Sequence, residues 1–317
     1  METFEVIQPG SLTTIQDLGR YGYQQYGVPT SGAIDNYAFR IGNLLVNNDE
    51  GAASLEITLF GCQLRVLRDT AVAITGADLG AVLNSDPIPM WETLSICCGD
   101  IICFPNLKSG CRAYLSVPSG FYVPKVMASA STYTRARIGG LEGRALRKGD
   151  ILQTVDSVYA VARARVPLQY IPKYSYQIEL RVILGPQDNY FTEEGIRTFL
   201  NFDYTVSNQA DRMGYRLDGP RIQHKGKTDI LSDGIPLGTI QVPGDGLPII
   251  LLADRPTTGG YPKIGTVIGI DIPKLAQAKP GDKVRFHQIK EDEAITELRQ
   301  YEKQIEDIRH SLKNTAV

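Results

Sequence analysis

"ILLADRPTTGGYPKIG", residues 250–265, decides how this chain is read. An apolar run ends abruptly at Ala253, and Asp254, Arg255, Thr257, Thr258, Gly259, Gly260 and Tyr261 follow at once. The stretch has an earlier echo, "AYLSVPSGFYVPKVM" (113–127). In both, an apolar strand enters a Pro/Gly loop, and an aromatic, a Pro, a Lys and an apolar residue follow. Each copy is succeeded by a second matched pair, "LRKGDILQ" (146–153) and "AKPGDKVRF" (278–286), which put a cation and Gly-Asp before an apolar strand. Two matched pairs in one order imply two copies of a β-rich unit. The boundary is expected in "VARARVPLQYIPKYSYQIEL" (161–180), where Pro167 and Pro172 interrupt the pattern. The expected domains are therefore 1–165 and 166–290, with a C-terminal helix over 291–317.

Beyond that stretch, most of the chain reads as short strands between turn signals. "AVAITG" (71–76), "DIICFP" (100–105), "RAYLSV" (112–117), "LRVILG" (180–185), "PIILLA" (248–253) and "KVRFHQI" (283–289) are β-branched or aromatic runs bounded by Gly, Pro, Asp or Asn. Few helices are expected. "DNYAFRIGNLLVNN" (35–48) has Asp35 as a cap, and "TEEGIRTFLN" (192–201) has Thr192. In the tail, Ile295, Leu298, Ile305, Ile308 and Leu312 recur at helical spacings among charged residues. This amphipathic helix is expected to dock on its own domain, with a partner-helix seam as the alternative. The fold class is thus mainly β.

The totals bound the function. The chain has 317 residues, 43% of them hydrophobic, and a formal net charge of −2. No Lys/Arg-rich block points to nucleic acid. No apolar run is long enough to span a membrane. The acidic N-terminal residues do not resemble a signal peptide, so a cytoplasmic location is expected. Cys62, Cys97, Cys98, Cys103 and Cys111 form an odd, clustered set unlike a disulfide framework, and are read as small buried hydrophobes. Three histidines supply few ligands, and no metal is expected. No Walker phosphate loop, no G-x-G-x-x-G opening a helix and no G-x-S-x-G elbow occurs.

Four glycine-flanked polar stretches remain. "TIQDLGRYGYQQYGVPTSGAID" (14–35) interleaves Gln16, Asp17, Arg20, Gln24, Gln25, Ser31 and Asp35 with four glycines. It reads equally as a ligand-binding loop or as a surface loop held by its own Asx turns. "ITGADLGA" (74–81) reads as a turn. "DRMGYRLDG" (211–219) resembles no generic turn. The fourth is the 252–265 stretch, preceded by "GTIQVPGDG" (238–246). At its centre, a guanidinium at Arg255 can hold a carboxylate or related anion bidentately. The Gly259-Gly260 amides could receive a developing oxyanion. A carboxylate at Asp254 could move a proton at an amide nitrogen, or orient Arg255. These are parts suited to chemistry on a small amide or lactam.

At these residues the sequence resembles a known family. "TTIQDLGRYGYQQYGVPTSGAID", "ITGADLGA", "STYTRARIGGLEGRAL" (131–146), "DRMGYRLDGP" and "LADRPTTGGYPKIGTV" stand in the order seen in KipA-like proteins. That family also goes by PxpC, the C component of 5-oxoprolinase, or allophanate hydrolase subunit 2. It is similar to part of the carboxyltransferase portion of urea carboxylase. The likeness runs to about residue 290 and leaves the tail outside.

The resemblance implies two cyclophilin-like β-barrel domains. It implies work with a KipI-like partner, PxpB, and a lactam-utilisation partner, PxpA, opening 5-oxo-L-proline to L-glutamate at the expense of ATP. No covalently bound cofactor is expected, and the ATP site is not located. The alternatives are a carboxyltransferase-type component acting on urea- or allophanate-like amides, and a KipA-type regulator that binds a KipI-like kinase inhibitor. Carried over by motif, Asp254, Arg255, Asp211 and Tyr261 are the expected catalytic residues. Gln16, Asp17, Arg20, Arg212, Gln241, Thr257, Thr258, Gly259 and Gly260 are the expected substrate-binding set. Ala128 and Ala130 stand where the family more often has Gly and Arg.

Overall fold

The computed structural model describes residues 1–155 and 162–315. Val161 of the expected boundary stretch and the last two residues of the tail lie outside these. The described chain is mainly β, with four α-helices: α1 (Asn36–Leu45), α2 (Glu193–Asn201), α3 (Ile272–Ala276) and α4 (Glu291–Thr315). It divides into two compact units. The first comprises Met1–Arg20, Ser31–Tyr174 and the chain from Lys303 on; the second comprises Tyr21–Thr30 and Ser175–Glu302. Against the division expected from sequence, the linker break falls nine residues later, Tyr21–Thr30 belongs with the second unit, and the tail helix is shared.

In the first unit, hydrogen bonding runs through two sheets. One has six strands in the order Ile151–Gln153, Glu2–Pro9, Cys62–Val66, Ile101–Cys103, Val82–Leu83, Asp86–Pro87. The other has five, in the order Leu12–Gln16, Ser54–Thr58, Ser109–Ser116, Thr70–Asp78, Thr93–Ile96. Phe4, Val6, Leu55, Ile57, Leu64, Ile74, Ile102 and Leu115 share one core. The strand Cys62–Val66 shows the cause: Cys62, Leu64 and Val66 are buried while Gln63 and Arg65 face outward, the period of two of a half-buried strand. Thr70–Asp78 is buried along almost its whole length, because α1 also packs against it. Two buried threonines tie that helix down, Thr75 Oγ1 donating to Ala38 O (2.7 Å) and Thr93 Oγ1 to Leu45 O (2.7 Å). Asp35 caps α1 by accepting from Ala38 N, as its sequence suggests.

The second unit closes into a seven-stranded barrel: Gln177–Leu184, Lys263–Val267, Thr239–Gln241, Ile249–Leu251, Gly214–Asp218, Tyr204–Ala210 and Lys283–Gln288. Closure comes from Gln177–Leu184, antiparallel to Lys263–Val267 on one side and parallel to Lys283–Gln288 on the other. Phe199 of α2 stacks on the buried Phe286 of the last strand at 4.5 Å. Thr192 caps α2 through Gly195 N.

The sequence echo reappears as matched hydrogen bonds. Phe4 faces Leu152 and Glu5 faces Ile151, while Val6 N donates to Asp150 O (2.9 Å) and Gly149 N to Val6 O (2.8 Å). In the second unit Tyr204 faces Val284 and Thr205 faces Lys283, while Val206 N donates to Asp282 O (2.8 Å) and Gly281 N to Val206 O (2.9 Å). Both glycines are left-handed, φ +86° and +93°. Both aspartates accept from the backbone N–H three residues back, Arg147 and Lys279. The other echo diverges. Lys263–Val267 is a strand, whereas Val126 makes only an isolated bridge to Ser129, and Met127 and Ala128 adopt φ +53° and +60°.

Two sequence readings are corrected. Cys97 and Cys98 are exposed rather than buried, because they lie in the turn 97–100 rather than in either flanking strand. Ile305, Ile308 and Leu312 of α4 are buried, but Ile295 and Leu298 are about half exposed, so the tail stripe is not one continuous buried face.

Candidate functional site

In the first unit, Gln16, Asp17 and Arg20 are all buried. Asp17 Oδ1 accepts from Gly19 N (2.8 Å), Ser129 Oγ (2.7 Å) and Ser131 Oγ, and Oδ2 from Ala130 N (2.6 Å). Its oxygens are committed to pinning the 129–131 segment. Arg20 Nη2 donates to Ser131 O, and Gln16 Nε2 to Thr14 Oγ1 (2.9 Å) and Thr132 O (3.3 Å). The structure therefore places Asp17 as a strut in the loop. The packing is tight: a Cβ on Gly139 would lie 2.1 Å from Ser131 O, and one on Gly140 1.9 Å from Thr132 Oγ1.

The second unit gathers the remaining candidates. The buried strand Ile249–Leu251 delivers Asp254 and Arg255 to its mouth. Asp254 pairs with Arg212: Nε to Oδ2 is 3.0 Å and Nη2 to Oδ1 3.2 Å, with both side chains buried. Asp254 N also donates to Arg212 O (2.9 Å). This corrects the expectation that Asp254 orients its neighbour Arg255, because Arg212 occupies its carboxylate bidentately. Asp211 makes an exposed Asx turn, accepting from Met213 N (2.7 Å) and Gly214 N (3.1 Å).

Arg255 is held by oxygens that carry no formal charge. Nε donates to Ile235 O (2.9 Å), and Nη1 to Leu252 O (3.1 Å) and Thr30 Oγ1 (3.3 Å). Its relative exposure is 9%, and among the described residues no carboxylate pairs with it. Burial pushes its pKa below the ordinary guanidinium value, with Tyr21 acting the other way. The guanidinium remains protonated even so. A buried cation without a counter-ion is costly unless something supplies one.

Arg255 lines a cavity of about 360 Å³. The rest of the lining is uncharged: Pro29, Pro236 and Pro256, with Gln24, Thr30, Gly234, Ile235 and Thr257. Three prolines make stiff walls. The volume suits a small metabolite, at the lower end of the usual ligand-pocket range of roughly 300–1,000 Å³.

Thr258-Gly259 pairs with Asp233-Gly234 as a two-stranded ribbon separate from the barrel. Gly259 is required by close packing, since a Cβ there would lie 2.7 Å from Ile235 Cδ1 and 2.8 Å from Gln241 Nε2. Gln241 is buried and donates to Tyr261 O (3.2 Å); the Tyr261 ring is partly exposed. Gly260 contributes its carbonyl to Ile230 N (2.8 Å). Of the expected residues, only Arg255 and Thr257 line the cavity. Thr30, Ile235 and Lys263 are not among the site residues expected from the sequence, although Lys263 belongs to the repeated Pro-Lys echo. The signal for Lys263 was available, a cation opening an otherwise uncharged strand, "KIGTV".

The carboxyltransferase model, subdomains A and B, matches residues 26–288. The chain belongs to that carboxyltransferase family. This carboxyltransferase-family chain is 35% identical over 305 residues to the C subunit of 5-oxoprolinase from Haemophilus influenzae, covering 96% of this chain and 97% of that one. It is 36% identical over 310 residues to the C subunit of 5-oxoprolinase from Escherichia coli, covering 98% and 99%. The crystal structure of Kluyveromyces lactis urea amidolyase contains a region that superposes with a TM-score of 0.92 at 31% identity, covering 96% of this chain and 20% of that protein. Among the described residues no helix is long and apolar enough to cross a membrane.

Proposed function

We propose that this chain is the C component of an ATP-dependent 5-oxoprolinase, working with PxpA- and PxpB-type partners to open 5-oxo-L-proline to L-glutamate. What supports this reading is the buried Arg255, without a carboxylate partner among the described residues and facing a small neutral-walled cavity. The lactam substrate carries one carboxylate, and Arg255 Nη2, the guanidinium nitrogen without a protein partner among the described residues, is free to donate to it. Near-full-length likeness to the C subunits of two 5-oxoprolinases points the same way.

In this reading Arg255 holds the substrate carboxylate and the proline-rich walls restrict water. Thr257 and Thr30 offer hydroxyls for the rest of the ring. ATP is used by the complex, and this chain does not act alone. A second reading, a carboxyltransferase-type component acting on urea-like amides, is favoured by the family match and by the likeness to urea amidolyase.

The test is to co-purify the chain with its PxpA- and PxpB-type partners and measure glutamate release from 5-oxoproline with ATP. The reading expects turnover by the complex and none by the isolated chain. A complex that carboxylates an amide and leaves 5-oxoproline intact would favour the second reading. Comparable turnover by the isolated chain would remove both.

A further inference from the structure

Lys263 opens the barrel strand Lys263–Val267 with its side chain only 1% exposed. Its Nζ donates to Asp233 Oδ2 at 2.7 Å, and Asp233 stands on the ribbon, 55% exposed. Gln187 lies beside the pair, its Nε2 3.4 Å from Asp233 Oδ2 and its Oε1 accepting from Lys263 N (3.2 Å). Two residues beyond Asp233, Ile235 N donates to Thr257 O (3.0 Å) and Ile235 O accepts from Arg255 Nε (2.9 Å). One line of contacts thus runs from the barrel through Lys263, Asp233 and Ile235 to Arg255.

We propose that Lys263 and Asp233 are positioning residues, a latch that fastens the 233–235 ribbon to the barrel so that Ile235 aims Arg255 at its cavity. A buried ammonium with one carboxylate partner among the described residues cannot release that partner cheaply. The ribbon is otherwise held by a few backbone bonds, among them Ile235 N to Thr257 O and Ile230 N to Gly260 O, and by the burial of Ile235. Its strands are two residues each, and it is not part of the barrel ladder. The functional meaning rests on Arg255 as the anion clamp; the mechanical claim does not.

The experiment compares the full-length parent with Asp233→Asn, Lys263→Met and the double variant. Amide hydrogen exchange is read at Ile235, with Val267, which bonds Gly238 O inside the barrel, as the reference. Each single variant is expected to lower Ile235 protection at least tenfold relative to Val267. The double variant leaves no buried charge unpaired, so its melting temperature should recover toward the parent while Ile235 protection stays low. In the complex, the double variant should raise KM for 5-oxoproline more than it lowers kcat. Protection at Ile235 that is unchanged in Asp233→Asn, or that recovers together with the melting temperature, overturns the latch. An Arg255→Lys complex that turns over like the parent would remove the clamp reading, while the exchange data would still decide the latch.

Discussion

Asp254 faces Arg212, 42 positions away in sequence, and not the adjacent Arg255: the two Arg212–Asp254 hydrogen bonds measure 3.0 and 3.2 Å in a buried setting. The three residues therefore divide into a buried ion pair and a cation left for the cavity. Removing one partner of a buried pair strands the other charge, so Arg212→Met is expected to destabilise the chain by about 3–5 kcal/mol. Arg255→Met strands no carboxylate, and its cost should be on the order of 1 kcal/mol from lost hydrogen bonds. Urea unfolding of the two variants separates the cases. Equal losses would make Arg255 a structural residue.

Arg255→Lys keeps the charge and loses the planar fork. The complex should assemble, and its kcat/KM should fall by a factor of about 10–150, the worth of a charged hydrogen bond at roughly 1.5–3 kcal/mol. Steady-state kinetics on the purified complex tests this. Unchanged kinetics would dismiss the clamp.

Ala128 sits exposed at φ +60°, a region that penalises a Cβ. Ala128→Gly relieves that strain and costs only the extra chain entropy of glycine, so a net gain of up to about 1 kcal/mol is expected. A melting temperature that falls instead would show that the loop relies on the alanine methyl.

In α4, Ile308 is fully buried while Ile295 is 47% exposed. Ile308→Ala should cost about 2–5 kcal/mol, the range for large-to-small changes in a core. Ile295→Ala should cost less than about 1 kcal/mol, within the range of surface changes. Calorimetry on the two variants reads the difference, and a reversed order would mean that the first half of the helix carries the docking.

Burial raises the Asp271 carboxyl, but Arg181 (2.8 Å) and Lys274 (2.8 Å) outweigh it and hold the group below its ordinary 3.8. A depressed carboxylate contributes stability that is present above its unfolded value and lost as pH falls through its folded value. The melting temperature should therefore drop steeply below about pH 3.8. Asp271→Asn should start lower at neutral pH and show a shallower acid slope. A parallel slope in the variant would assign the transition to other carboxylates, of which Asp150, lowered by Arg144 and Arg147 against its burial, is one.

The features legible in the sequence are those set by neighbours within a few residues. Asp35 and Thr192 cap helices because a short side chain reaches an N–H three positions on. The paired Gly-Asp turns at 149–150 and 281–282 share one sequence pattern because glycine tolerates positive φ and aspartate bonds its own turn. Strand positions followed from β-branched and aromatic runs bounded by turn residues. The exposure of Cys97 and Cys98 is not legible, because composition around a turn does not say which side chains it turns outward.

The sequence alone thus determined a mainly β chain of two related units with a terminal helix, and it singled out Arg255. Partner choice belonged to the tertiary structure. Asp17 becomes a strut only when 129–131 folds back on it, Asp254 goes to Arg212, and Lys263 reaches Asp233 across 30 positions. Charged side chains take whichever partner the barrel register brings within about 3 Å, because desolvation makes an unpaired buried charge expensive. That register is fixed by packing between strands distant in sequence, and adjacency along the chain carries no information about it.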